Sequence, residues 1–313
     1  MFTCFDEVVA ACQHEPRRRI AVAVAEDHTV LEAVKAAIAE DIAHASLFGN
    51  AAAIEATCER VGLDPNSVEI VDAPNEIDAA NAAVRRVSTG NADILMKGHI
   101  HTDDFLRAVL NREQGLRTPH IMSHVFILEL REKRRFLFVT DGAFNIAPDL
   151  RQKAAIILNA VYLAQMFGIE QPRVGVLAAV EVLNPKMQAT LDAAALATMG
   201  LRGQFSHGIV DGPFALDNAV SEEAARHKGI GGPVAGRADI LLVPDIEAGN
   251  ILAKSHSFLA GGNVAGVVVG AAAPIVLTSR ADSPKSKLYS IATAVLMANM
   301  ERTGRFKFGE VHY

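Results

Sequence analysis

Short apolar runs alternate with segments of helical period along nearly the whole chain, and this alternation restricts the fold more than any other feature. The run Ile20 to Ala25 reads as a buried strand, and Thr29 to Ala39 places Val30, Val34, Ala37 and Ile38 on one helical face. The pattern recurs. It predicts strands over 45–48, 68–71, 93–96, 124–130, 136–140, 174–178, 208–210, 240–243, 266–270 and 275–278, with a helix between most of them. Strands separated by helices need right-handed crossovers and give a largely parallel sheet. The exception is 128–136, where two apolar runs flank Arg131-Glu-Lys-Arg-Arg135 and predict a hairpin. Half of the residues are hydrophobic but only 5% are aromatic, with no Trp, so the core must be Ala-rich helices on Val- and Ile-rich strands.

A chain of 313 residues suits two α/β domains. The best division is the loop Thr140 to Pro148, between the hairpin and a long helix over 149–167. The last helix, Pro284 to Glu301, returns to the first domain in this reading. The expected architecture is therefore two-lobed α/β, with largely parallel three-layer α/β/α domains over 1–141 plus 284–313 and over 142–283, and the active site in the cleft between them.

Several function classes are disfavoured at once. A formal charge of −6 lacks the basic surplus that displaces counterions from nucleic acid. Cys4, Cys12 and Cys58 have no CxxC spacing, so no disulfide framework or zinc ribbon can be written. The N-terminal residues lack the cationic flank and apolar stretch of a secretory signal. The most apolar run, Val264 to Leu277, holds 14 residues including Pro274, short of the roughly 20 that a membrane helix needs. The expectation is a soluble, cytoplasmic protein acting on small molecules, without nucleic acid or membrane partners.

In parallel α/β sheets, ligands collect where strand carboxyl ends lead into helix N-termini. Three such loops carry chemistry. In Ala273 to Pro284 a strand ends at Thr278, Ser279 and Arg280 follow, Ser283 can cap a helix, and Pro284 suits its first position. Arg280 can fork onto phosphate oxygens and Ser279 can donate to a developing oxyanion; a capped turn with a surface Arg explains the same residues. Met96 to Asp104 precedes a helix carrying Arg107, and Lys97 and Arg107 can both face an anion. His99 and His101 alternate as metal ligands do, with Asp103 and Asp104 near, but a helix cap at Thr102 or Asp103 with His101 as a polar residue beside it fits equally. In Leu242 to Lys254, Asp245 can cap a helix carrying Glu247, Asn250 and Lys254 along one face, either lining a ligand site or forming an ordinary capped helix with a Glu247 to Asn250 hydrogen bond. No P-loop, GxSxG elbow, HExxH or clean GxGxxG is present.

Gly98-His-Ile-His-Thr102 with Arg107, Gly232 to Asn250, and Pro274-Ile-Val-Leu-Thr-Ser-Arg280 together resemble the phosphate acetyltransferase and phosphate butyryltransferase family. Asp211 to Asp217 adds to the likeness, which runs from about Leu95 to the C-terminus and leans toward the butyryl-transferring branch. The resemblance implies an acyltransferase that moves a short acyl group, acetyl or butyryl, reversibly between CoA and inorganic phosphate. It further implies a fold like that of isocitrate and isopropylmalate dehydrogenases, a homodimer, no metal and no bound cofactor, with CoA and acyl-CoA as substrates. Carried over, Ser279 bonds the carbonyl or thioester oxygen, Arg280 holds the phosphate, and Arg107 is the second arginine on that anion. Lys97, Gly98, His101, Thr102, Asp245, Glu247, Asn250 and Lys254 are the expected substrate contacts. Acetyl-transferring relatives place an Asp, proposed as the base for the CoA thiol, seven positions after this Ser. Here that position is Ser286, which leaves Asp282 as the nearest replacement and Lys285 or Lys287 as electrostatic aids. The alternatives are a metal-dependent decarboxylating dehydrogenase on a similar fold and a non-catalytic acyl-CoA or phosphate sensor.

Overall fold

The computed structural model describes residues 1–304 and 308–312. Its contacts divide the chain into two units, one of Phe5–His120 with Ala265–Thr303 and the other of Met1–Cys4, Ile121–Val264 and Gly304–Tyr313.

The first unit begins with α1 (Phe5–Cys12), β1 (Arg18–Ala23), α2 (His28–Ala39), β2 (Ala43–Gly49), α3 (Ala51–Val61), β3 (Glu69–Asp72), α4 (Glu76–Ser88), β4 (Ile94–Lys97) and α5 (Thr102–Val109). The second holds β5 (Ser123–Leu130), β6 (Arg135–Thr140), α6 (Leu150–Met166), β7 (Arg173–Leu177), α7 (Gln188–Leu201), β8 (Ile209–Phe214), α8 (Leu216–Val220), α9 (Glu222–His227), β9 (Ile240–Leu242) and α10 (Ile246–Lys254). The chain then supplies β10 (Val264–Val269), β11 (Ile275–Val276) and α11 (Pro284–Arg302), which complete the first unit.

The strand order in the first unit is β3-β2-β1-β4-β11-β10, parallel except where β10 meets β11. The chain builds outward from β1 through β2 to β3, then returns to lay β4 on the other side of β1. That reversal opens a crevice at the carboxyl ends of β1 and β4, the place where open α/β sheets bind ligands. The second unit runs β5-β6-β9-β7-β8, with β5 and β6 as the expected antiparallel hairpin and the other pairs parallel.

Local chemistry sets the helix starts. Asp27 accepts the Val30 N–H to cap α2, Asn50 caps α3 through Ala53, and Asp149 with Gln152 forms a reciprocal capping box on α6. Helix α1 was not anticipated, although Phe5, Val8, Val9 and Cys12 make the apolar stripe that buries it. Phe5 stacks on Tyr289 of α11 with ring centroids 4.5 Å apart, which fixes α1 within the first unit.

These units part at 4/5, 120/121, 264/265 and 303/304, whereas the sequence suggests limits at 141/142 and 283/284. Strand pairing explains the difference. The hairpin goes with the second unit because β6 pairs with β9, and β11 goes with the first because it pairs with β4. Residues 305–307 and 313 of the expected first domain lie outside the described residues. Among the described residues, no helix is long and apolar enough to cross a membrane.

Candidate active site

Strands β4 and β11 set the register of the site. Leu95 lies opposite Ile275 and Met96 opposite Val276, so Lys97 is next in line with Leu277, and Ser279 follows two residues later. On the other side Ala23 of β1 pairs with Lys97. Val24 then takes a positive φ of 58°, unusual for a β-branched residue, and its carbonyl accepts the His99 N–H at 2.7 Å. The two chains cross so closely that a Cβ on Gly98 would stand 2.0 Å from the Val24 oxygen. Only glycine fits there.

The β11–α11 loop is held from within. Asp282 Oδ2 accepts the Ser279 N–H at 2.7 Å, Ser279 Oγ accepts the Ala281 N–H at 3.3 Å, and Ser283 caps α11 ahead of Pro284, as expected. Lys287, only 2% exposed, donates from Nζ to the carbonyls of Ser279 (3.0 Å) and Asp282 (2.7 Å). Ser279 is half-buried and Arg280 exposed. The Thr278 hydroxyl, at the end of β11, is buried without a hydrogen-bond partner.

Charge is concentrated here. Burial pushes the Lys97 ammonium down to about 8, with Arg280 and Lys287 lowering it further and Asp27 offsetting them in part. Lys287 is also depressed by burial, against the pull of Asp282 and Asp27. At Asp27, burial disfavours the charge, but hydrogen bonds from Thr29, Val30 and His99 outweigh it and hold the carboxyl below its ordinary range. A half-enclosed group of cations beside a 19-residue helix N-terminus is suited to a phosphoryl anion and to charge growing on a carbonyl oxygen.

The sequence profile of the phosphate acetyl/butaryl transferase family matches residues 4–81 and 73–295. The chain belongs to this family. The phosphate butyryltransferase of Clostridium acetobutylicum is 49% identical over 298 residues, 95% of this chain and 99% of that protein. The phosphate acetyltransferase of Thermotoga maritima is 46% identical over 281 residues, 90% of this chain and 95% of that one. Among solved structures, a branched-chain phosphotransacylase from Enterococcus faecalis aligns with a TM-score of 0.79 and 34% identity, covering 90% of this chain and 99% of that one. A 4-hydroxythreonine-4-phosphate dehydrogenase from Klebsiella pneumoniae, at 14% identity and a TM-score of 0.53, shares the fold alone.

For a phosphate acetyl/butaryl transferase, the other anticipated residues divide clearly. Lys97 and Gly98 are buried at the end of β4, whereas His101 and Thr102 are exposed at the start of α5, with His101 in the cap position but making no side-chain cap bond. Arg107 is 76% exposed and donates to Asp104 Oδ1 at 2.9 Å. His99 Nδ1 lies 3.4 Å from Asp27, and no group of three metal-ligating side chains occurs among the described residues. In the second unit Asp245 caps α10 as expected, but Asn250 donates to the Gly142 carbonyl at 3.1 Å rather than to Glu247, while Glu247 and Lys254 are exposed. Ser286 is occupied at the α11 cap, where its N–H donates to Ser283 Oγ.

Of the charged group, the sequence reading lacks Asp27 and names Lys287 only as an electrostatic aid, without its clamp on the loop. Asp27 had a readable signal, since Asp-His-Thr-Val ahead of an apolar-periodic segment is a helix-cap pattern. The burial and carbonyl contacts of Lys287 had none, because Pro284-Lys-Ser-Lys reads as an exposed first turn.

Proposed function

We propose that the chain transfers a short acyl group, acetyl or butyryl, reversibly between CoA and inorganic phosphate, so that acyl-CoA and phosphate give acyl phosphate and CoA. The observation that carries this reading is the Thr278-Ser279-Arg280 loop of a phosphate acetyl/butaryl transferase, clamped by Lys287 beside the buried Lys97.

In this mechanism phosphate attacks the thioester carbonyl directly within a ternary complex. Ser279 Oγ donates to the oxygen on which negative charge develops, and Arg280 holds the attacking phosphate through its fork. Arg107 is proposed as a second arginine on the anion, which requires its guanidinium to exchange Asp104 for the ligand. In the reverse direction the CoA thiol must lose a proton, and Asp282 is the proposed acceptor. Gly98, His101 and Thr102 at the β4–α5 turn are proposed substrate contacts, as are Asp245, Glu247, Asn250 and Lys254 of the second unit. The reading includes a cytoplasmic homodimer that needs neither metal nor bound cofactor.

Free thiol released from acetyl-, propionyl- and butyryl-CoA, followed with and without phosphate, tests it. Release should depend on phosphate, or arsenate in its place, and should survive a chelator; kcat/KM across the three thioesters gives the acyl preference. Phosphate-independent release would identify a hydrolase, and no release from any of the three would end the reading.

A further inference from the structure

Lys97 is the least compensated buried charge of the first unit. It is 4% exposed, and the one hydrogen bond of its Nζ is to the Gly98 carbonyl at 3.4 Å, at the long limit for such a bond. No carboxylate lies within ion-pair distance of it among the described residues. Lys287 is equally buried but has two well-placed carbonyl acceptors, so the difference lies in partners rather than in depth. A buried ammonium without a counter-charge is costly, and such a group either loses its proton or waits for an anion.

The charged and titratable groups around it favour an anion. From the β11–α11 loop and α11 come Arg280 and Lys287, both repelling. From the β1–α2 loop comes Asp27, whose carboxylate is engaged by Thr29 at 2.6 Å and by the Val30 N–H at 2.9 Å. From the β4–α5 turn comes His99, turned onto Asp27, and Asp282 is engaged by the Ser279 N–H. The carboxylates near Lys97 thus each accept hydrogen bonds from groups other than its ammonium, while the adjoining strand end leaves the Thr278 hydroxyl unsatisfied.

We propose that Lys97 holds the phosphoryl group of the substrate, its ammonium binding the anionic oxygens at the carboxyl end of β4 beside Arg280, so that the bound anion supplies the counter-charge that the chain itself lacks. This rests on the acyl-transfer reading for the identity of the bound species, phosphate or acyl phosphate, but the binding step does not. A consequence is proton uptake. Burial pushes the Lys97 ammonium down to about 8 and an anion alongside raises it again, so well below that pH the ammonium is already present. Above it, binding must first add a proton, and the KM for phosphate rises with pH, although phosphate itself stays dianionic there.

Calorimetry of inorganic phosphate binding to the whole chain at pH 8, in two buffers of different ionisation enthalpy, measures the uptake without turnover. Net proton uptake by the native chain in excess of that by Lys97→Met is expected from a lysine partly deprotonated at that pH. Binding without that excess, or no phosphate binding, overturns the proposal. In the acyl-CoA plus phosphate direction, where no free thiol is a substrate, Lys97→Met should raise the KM for phosphate about ten- to a hundredfold and leave the KM for acyl-CoA nearly unchanged. A rise in the acyl-CoA KM instead would mean that Lys97 serves a phosphate of CoA. Lys97→Arg, charged at every working pH, should lose the upward trend of KM above pH 8. An enzyme without phosphate-dependent thiol release but with proton-linked phosphate binding would sink the acyl-transfer reading and keep the Lys97 site; an active enzyme with no linkage would do the reverse.

Discussion

Ser279 Oγ accepts the Ala281 N–H in the resting loop, which leaves its own hydroxyl hydrogen to donate to an incoming oxygen. A donor that acts on charge present only in the transition state changes kcat more than KM. Ser279→Ala should therefore lower kcat by about a hundredfold, the usual loss for one oxyanion donor, with little change in either KM. A loss confined to KM would assign the hydroxyl to ground-state binding. Asp282 is a sharper case because its carboxylate already anchors the Ser279 N–H. Asn at this position keeps an acceptor for that N–H but cannot take a proton. If Asp282 is the thiol's base, Asp282→Asn slows the acyl phosphate plus CoA direction most below the thiol's ordinary pKa of about 8.5 and recovers as rising pH supplies thiolate. A deficit that stays constant from pH 6 to 9 would leave Asp282 as a loop anchor only. At this scale the sequence was informative where one loop carries its own chemistry, as in Thr278-Ser279-Arg280. It was silent where a residue's state depends on remote chain. Nothing local to Lys97 says that β1 and β11 bury it, or that Lys287 closes on the carbonyls of Ser279 and Asp282.

Every strand expected from the apolar runs is present, since a buried parallel strand must be continuously apolar and so announces itself. Their ends were less legible. The predicted strand over 275–278 pairs only at Ile275 and Val276, because the chain leaves the ladder to present Thr278 and Ser279. The β1 and β4 ends are likewise shaped by their crossing at Gly98, which no periodicity reveals. Any side chain there meets the Val24 carbonyl, a backbone atom that cannot rotate aside. Gly98→Ala should push the β4 end away from β1, costing about 1–3 kcal/mol as other overpacked sites do, and should raise the phosphate KM by displacing Lys97. Thermal unfolding and initial rates check both effects together. An Ala variant with unchanged melting and unchanged phosphate KM would show that the crossing has room to relax.

At the scale of the whole chain, the placement of the three thiols bears on the order of chemical steps. A two-step route through an acyl-enzyme needs a side chain able to attack the thioester. The thiol is the most reactive candidate, but only as thiolate. Cys12 lies in α1, 1% exposed, with its Sγ–H directed at the Ala292 carbonyl, and burial followed by the charge of Glu15 pushes it up to about 12. Cys58 is fully buried in α3 and raised by burial, with Glu55 adding to the shift. Cys4 is half-buried in the Met1–Cys4 segment. The helices that bury Cys12 and Cys58 thus keep these two thiols from acting as acyl carriers, in keeping with the proposed direct transfer. Initial rates with acyl-CoA and phosphate both varied should give intersecting double-reciprocal lines. Labelled phosphate should not exchange into acyl phosphate unless CoA is present. The native protein, treated with iodoacetamide at pH 8 and freed of reagent, should gain at most one label, at Cys4, and keep its rate. Parallel lines, or exchange without CoA, would require an acyl-enzyme and a nucleophile other than these thiols.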